Sequence, residues 1–107
     1  MKKEILINPI APKAIGLYSS ALKANGFIFV AGQLPVDPTT DELIEGDIGA
    51  QTKMSLENLK TVIEPYGIDL NDVVKITIFL KDMNNFTRVN NTYSEYFTEK
   101  FPARSCI

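Results

Sequence analysis

Histidine is missing from all 107 residues. That excludes a Ser-His-Asp triad, a Cys-His dyad and any histidine-ligated metal site built from this chain alone. There is one cysteine, Cys106. No intrachain disulfide and no cysteine-cluster metal site can form from it, and the thiol count does not call for an oxidising compartment. Tryptophan is absent, and arginine occurs only at Arg88 and Arg104. A basic surplus is lacking too: eleven Lys and Arg face thirteen Asp and Glu, for a net charge of −2. Nucleic-acid binding normally rests on a basic track, so the balance argues against such a partner. No stretch reaches the roughly 20 apolar residues of a membrane-spanning helix. The opening Met1-Lys2-Lys3-Glu4-Ile5-Leu6-Ile7-Asn8-Pro9 is basic, then apolar, but the apolar run is too short for a secretory segment and stops at a proline. The expectation is a cytoplasmic protein with no membrane partner.

What is present is ordinary for a folded domain: 45% apolar and 22% charged residues. The length suits one domain over residues 1–107. Glu4 to Asn8 reads as a strand, closed by Pro9 and Pro12. Ser19 to Lys23 and Phe27 to Gln33 read as two strands joined at Asn25-Gly26, a favoured type I′ hairpin pair. Phe27 to Ala31 is apolar on both faces and is expected to be central in its sheet. Leu34 to Asp47 carries five acids and no base and reads as a solvated loop. Its spacing is not that of a calcium loop. Ala50 to Glu64 reads as a helix, with Leu56, Leu59, Ile63 and Tyr66 on one stripe and Pro65 and Gly67 ending it. Asp69, Asn71 and Asp72 form a turn before a buried strand at Val73 to Leu80. Asn84 to Lys100 reads as a second helix, capped by Asn84 or Asn85, with Phe86, Val89 or Asn90, Tyr93 and Phe97 sharing a face. Ala103 to Ile107 begins a further strand. The order β-β-β-α-β-α-β predicts an α+β layer fold, a mixed sheet packed on one face by two helices, with the last strand cut short.

Arg104 is the residue most in want of an explanation. Strand alternation puts it on one face with Cys106, and puts Ala103, Ser105 and Ile107 on the other. A guanidinium beside an apolar strand end implies an anion, because its planar fork matches a carboxylate. That carboxylate belongs either to an acidic residue elsewhere in the protein or to a ligand. Arg88 reads as a surface charge. Cys106 has no histidine to activate it and reads first as structural. Gly32 either ends its strand or lets a ligand approach closely. Tyr18 packs or offers a phenol to a pocket. Asn90, a polar group on an apolar helix face, needs a partner, and Arg104 is a candidate.

Several segments, taken in order, resemble a known family. Ala11-Pro12-Lys13-Ala14-Ile15-Gly16-Leu17-Tyr18-Ser19 is similar to the "AP-x-AIGPYS" opening of the RidA (YjgF) family of enamine/imine deaminases. Phe29-Val30-Ala31-Gly32-Gln33-Leu34-Pro35 resembles its "VSGQIP" segment. Gln51-Thr52 with Leu56-Glu57-Asn58-Leu59 resembles "QT…ALENL". Val73 to Leu80 with Asp82-Met83-Asn84 resembles "VVKTTVFL-x-DMN". Val89-Asn90-x-x-Tyr93 and Pro102-Ala103-Arg104-Ser105 complete the set.

The resemblance implies a chorismate-mutase-like α+β fold and a homotrimer with clefts between subunits. It implies a hydrolase that turns 2-imino acids such as 2-aminoacrylate into 2-keto acids and ammonia, with no cofactor and no metal. It assigns the substrate carboxylate to Arg104 as the catalytic clamp, a backbone donor to Gly32, a pocket wall to Tyr18, a backbone contact to Cys106, and a place in the site to Asn90. Leu17 stands where the family has proline, and Ala31 where serine is common. The family's final strand, whose "EIE" glutamate positions the attacking water, is expected beyond Ile107; residues 1–107 are read as a single RidA-like domain lacking that strand. Such an imine already hydrolyses in water, so a clamp, backbone donors and one oriented water suffice. Two rivals stand beside this reading. One is a non-catalytic trimeric module that binds keto acids. The other is an endoribonuclease, which the acidic balance disfavours.

Overall fold

Asn25 and Gly26 both take positive φ, 53° and 81°. That is the backbone twist a two-residue type I′ hairpin needs, and few other dipeptides adopt it cheaply. The computed structural model, which describes residues 2–107, builds this turn between β2 (Ala21–Ala24) and β3 (Phe27–Val30). β1 (Lys3–Leu6) lies antiparallel on the other side of β2, with Leu6 opposite Ala21. β3 is therefore at an edge of this group, not at its centre as its two apolar faces suggested. Ile28 and Val30 pack on the core, whereas Phe27 and Phe29 are 55% and 59% exposed. The second apolar face has no cover among the described residues.

The acidic segment after β3 holds one short antiparallel pair that sequence reading took for loop throughout, β4 (Val36–Asp37) with β5 (Glu42–Leu43). Asp37 builds its turn, accepting from the Thr39 backbone N–H at 2.8 Å and from the Thr39 hydroxyl at 2.6 Å. Helix α1 (Ile48–Ile63) starts two residues earlier than expected. Asp47 is its cap and accepts from the Ala50 N–H at 2.8 Å. The helix tightens into a 3₁₀ turn at Glu64–Tyr66 and stops at Gly67, whose φ of 73° is the left-handed conformation expected of a C-terminal glycine. Of the predicted stripe, Leu56 and Ile63 are buried; Leu59 and Tyr66 are half-buried against the core.

Asp69 and Asp72 form a reciprocal capping box around the 3₁₀ turn Leu70–Asp72, which leads into β6 (Lys75–Ile78). Asp82 caps the next 3₁₀ turn by accepting from Asn84 N–H at 2.9 Å. Asn85, one of the two expected caps, makes no capping bond, because the carboxylate one turn upstream already starts the coil. Helix α2 runs Phe86–Tyr96 and ends four residues before the expected Lys100. Phe97 leaves the helix with extended backbone yet is only 3% exposed. It stacks on Tyr93, centroids 4.4 Å apart. The apolar period thus outlives the helical backbone, because an extended residue fills the next core position. β7 (Ala103–Cys106) then runs parallel to β6.

Two buried clusters make the core. Leu6, Ala11, Ala21, Val62 and Ile63 join the β1–β3 group to α1. Leu56, Tyr93 and Phe97 join α1 to α2. Leu59 and Leu70 touch both, so the helices bind the two halves into one body. The result is the predicted α+β arrangement, two helices on mixed β structure, with antiparallel and parallel pairings in separate hydrogen-bonded groups. Among the described residues, no helix is long and apolar enough to cross a membrane.

Candidate functional site

Arg104 sits opposite Ile76 in the parallel β6–β7 pair, on the face turned towards α2. Phe86, Asn90 and Tyr93 lie four and then three residues apart on that helix, the spacing that stacks side chains on one face. All three meet the guanidinium. Its Nη1 donates to Asn90 Oδ1 at 2.7 Å. Its central carbon lies 4.7 Å from the Tyr93 ring centroid and 5.5 Å from that of Phe86. These distances are within cation–π range. Arg104 itself is exposed, Asn90 and Phe86 are half-buried, and Tyr93 is buried.

Among the described residues, Arg104 has no internal counter-ion of the kind the sequence left open. The ion pairs among the described residues are Lys60 with Glu57 and Arg88 with Asp47. Neither touches Arg104. The guanidinium has five N–H donors, and only the one to Asn90 has a side-chain acceptor among the described residues. Its charge and most of its fork face outward. The phenol of Tyr93 is pushed above its ordinary pKa by burial, and the Arg104 charge opposes that rise without cancelling it. The neutral ring is therefore the stable neighbour for the cation.

Cys106 is two residues further along the same strand, opposite Ile78, and is a free, half-buried thiol. Arg104 and Asn90 are thus joined directly, and Cys106 lies two residues along the same strand. Among the described residues, no hydrogen bond joins Gly32 or Tyr18 to them. Gly32 follows β3, is exposed, and a side-chain carbon added there would meet nothing within 4 Å. Its backbone is open to close approach. Tyr18 is 52% exposed, and its hydroxyl accepts from the Ile15 N–H at 3.4 Å. It lines a groove of about 400 Å³ with Asn8, Lys13, Ser20 and Val62. Arg104 does not line that groove.

Sequence reading missed one residue that shapes this region. Asn58 is 2% exposed, on α1, and its amide nitrogen donates to Leu34 O at 3.1 Å and Val36 O at 2.8 Å. It pins the segment that follows Gly32. A polar residue inside the Leu56–Leu59 stripe was the available signal, since a buried amide needs partners. Arg88, read as a surface charge, is exposed and bonds Asp47 at 3.3 Å, tying the start of α1 to α2.

Comparison with known proteins places this geometry. The family model described as endoribonuclease L-PSP matches residues 9–107. A RutC family protein of Pyrococcus abyssi is 53% identical over 107 residues, covering 100% of this chain and 84% of its own length. The 2-iminobutanoate/2-iminopropanoate deaminase of Salmonella typhimurium is 46% identical over 100 residues, covering 91% of this chain and 77% of its own. The crystal structure of E. coli TdcF with bound serine superimposes with a TM-score of 0.89 at 36% identity, covering 97% of this chain and 84% of that one. A match across nearly the whole chain, in sequence and in backbone, carries one conclusion: this chain belongs to the YjgF/RidA/RutC family, whose model bears the endoribonuclease L-PSP description.

Proposed function

We propose that this protein hydrolyses reactive enamines and imines of 2-keto acids, with 2-aminoacrylate as a representative substrate, and that Arg104 holds the substrate carboxylate. One observation carries the reading: a guanidinium oriented by Asn90, without an ionic partner among the described residues, with its free donors directed outward. A planar fork so placed fits a carboxylate in bidentate fashion. The name of the Salmonella relative and the serine bound to TdcF, an amino acid, support that substrate class.

The chemistry asks little of the protein. An enamine first takes a proton at C3 and becomes the protonated imine. Water then bonds to C2 while the C=N π pair moves to nitrogen. A proton passes from the added oxygen to nitrogen. The C2–N electron pair then leaves with nitrogen as an oxygen lone pair closes the carbonyl. The proton left on that oxygen passes to the ammonia, giving a 2-keto acid and ammonium. Fixing the carboxylate holds C2 in one place, which converts encounter into orientation. The Gly32 N–H is the donor we assign to the reacting end, with Tyr18 as wall and the Cys106 backbone against the ligand. Because Gly32 and Tyr18 stand in the β1–β3 half and Arg104 in the β6–β7 half, a second copy of the chain is the means we propose for closing the cleft. A homotrimer with sites at its interfaces fits this, and the uncovered Phe27 and Phe29 supply apolar surface for it. In the same reading residues 1–107 form one domain and the protein works in the cytoplasm.

The test pairs two measurements on parent and Arg104→Ala: clearance of 2-aminoacrylate, and calorimetric affinity for pyruvate or 2-oxobutanoate. The expected loss in both is at least about tenfold, the scale of one charge-assisted pair. Equal values in parent and variant remove Arg104 from the site. Keto-acid binding by the parent without any clearance turns the reading into a binding module. The family description favours endoribonuclease as a second reading. RNA cleavage by purified protein, lost in Arg104→Ala, would establish it against the acidic net charge of −2.

A further inference from the structure

An arginine that is to receive a carboxylate has to be held still without being neutralised. A structural Asp or Glu would fix it but would occupy the fork and cancel the charge that draws the ligand. Around Arg104 the chain uses other means. Tyr93 lies under the guanidinium at 4.7 Å and Phe86 flanks it at 5.5 Å. Aromatic faces attract a cation through the ring quadrupole and consume none of its N–H donors. Asn90 takes one donor through a neutral oxygen at 2.7 Å. Tyr93 is in turn fixed from behind by stacking on the buried Phe97 at 4.4 Å and by its place in the core with Leu56.

We propose that Tyr93 and Phe86 are positioning residues for the carboxylate clamp, their ring faces standing in for a counter-ion so that Arg104 is both immobile and fully charged. This rests on the carboxylate-clamp reading of Arg104 above. Neither ring touches the reacting atoms; both act through the guanidinium. The face of α2 that reads as plain core in the sequence thus also carries a function.

Phe86 gives the cleaner test, because it is half-buried while Tyr93 is a core residue. Phenylalanines bearing one, two and three ring fluorines are placed at position 86. They keep shape and hydrophobicity but progressively weaken the negative ring face. The expected result is a stepwise fall in pyruvate affinity with each fluorine, reaching about three- to tenfold together with Phe86→Leu, at an unchanged melting temperature. In steady-state assays the change is expected in KM more than in kcat. Tyr93→Phe, which keeps the ring, is expected to bind pyruvate within about twofold of the parent, the size left when the cation–π contact is retained. Affinity that is flat across the fluorinated series, measured alongside an Arg104→Ala variant that has lost binding, overturns the aromatic support and leaves the clamp standing. If Arg104→Ala binds like the parent, the clamp reading itself falls and the support falls with it.

Discussion

Asn90 Oδ1 accepts the Nη1–H of Arg104 at 2.7 Å, a bond between a neutral amide and a full cation. A carboxylate in the same position would bind more strongly and be less useful. Asn90→Asp is therefore expected to lower keto-acid affinity more than Asn90→Ala does. The alanine only frees the guanidinium, whereas the aspartate competes with the ligand for it. The expected losses are about threefold for alanine and at least about tenfold for aspartate, following the strength of charge-assisted bonds. Calorimetry at matched ionic strength checks the order, and an aspartate variant that binds as well as the parent contradicts it.

Asn58 carries a different load. It is almost fully buried, and its amide satisfies two backbone carbonyls, those of Leu34 and Val36. Asn58→Leu would remove that donor from two part-buried oxygens, of which Leu34 O keeps the Val36 N–H at 2.8 Å. The expected cost is about 1 to 3 kcal/mol of folding stability, chiefly the lost bond to Val36 O. Urea unfolding measures it directly, and a loss under about 0.5 kcal/mol, the range of an ordinary surface substitution, speaks against this anchoring role of Asn58.

Asp47 sets a pH dependence. Its carboxyl lies below the ordinary carboxylate range because the Ala50 N–H donates to it, with the charge of Arg88 adding to the effect. A group whose folded pKa is depressed contributes stability above its unfolded value, near 3.8, and loses it as pH falls through the folded value. Asp47→Asn is therefore expected to lower the melting temperature at pH 6 and to narrow its gap to the parent below about pH 4. A gap of constant size from pH 2 to pH 6 would refute this.

Phe29 probes the uncovered face. Its side chain is 59% exposed on β3, and Leu22 stands opposite it on β2. Phe29→Lys should fold like the parent, since the core contacts of β3 belong to Ile28 and Val30. In the homotrimeric deaminase proposed above, it is expected to shift the sedimenting species from trimer to monomer and to abolish 2-aminoacrylate clearance with it. A trimer that survives this change locates the interface elsewhere.

How much of this could be read from the sequence depends on how local the cause is. The Asn25-Gly26 hairpin, the Gly67 stop and the Asp69 to Asp72 turn follow from neighbouring residues, and all appear where expected. The β4–β5 pair does not. Each strand has two residues, too few for a period, and Asn58, far along the chain, holds it in place. The length of α2 misled for the opposite reason: Phe97 keeps the helical spacing while its backbone is already extended. At the site, Arg104 and its bond to Asn90 were legible, as a cation and an amide each needing a partner. The two rings were visible only as an apolar face, because their second role depends on the register of β7 against β6.

That parallel register also bears on the order of events during folding. The hairpin of β2 and β3 closes over two residues, whereas β7 cannot align with β6 until α2 has formed and crossed between them. The strand face that carries Arg104 is consequently closed over a longer stretch of chain than the hairpin, and in the function proposed above ligand binding waits on that closure. Ligand present during refolding would accordingly slow amide exchange in β6 and β7 and at the proposed Gly32 contact, with a smaller effect in β1 and β2.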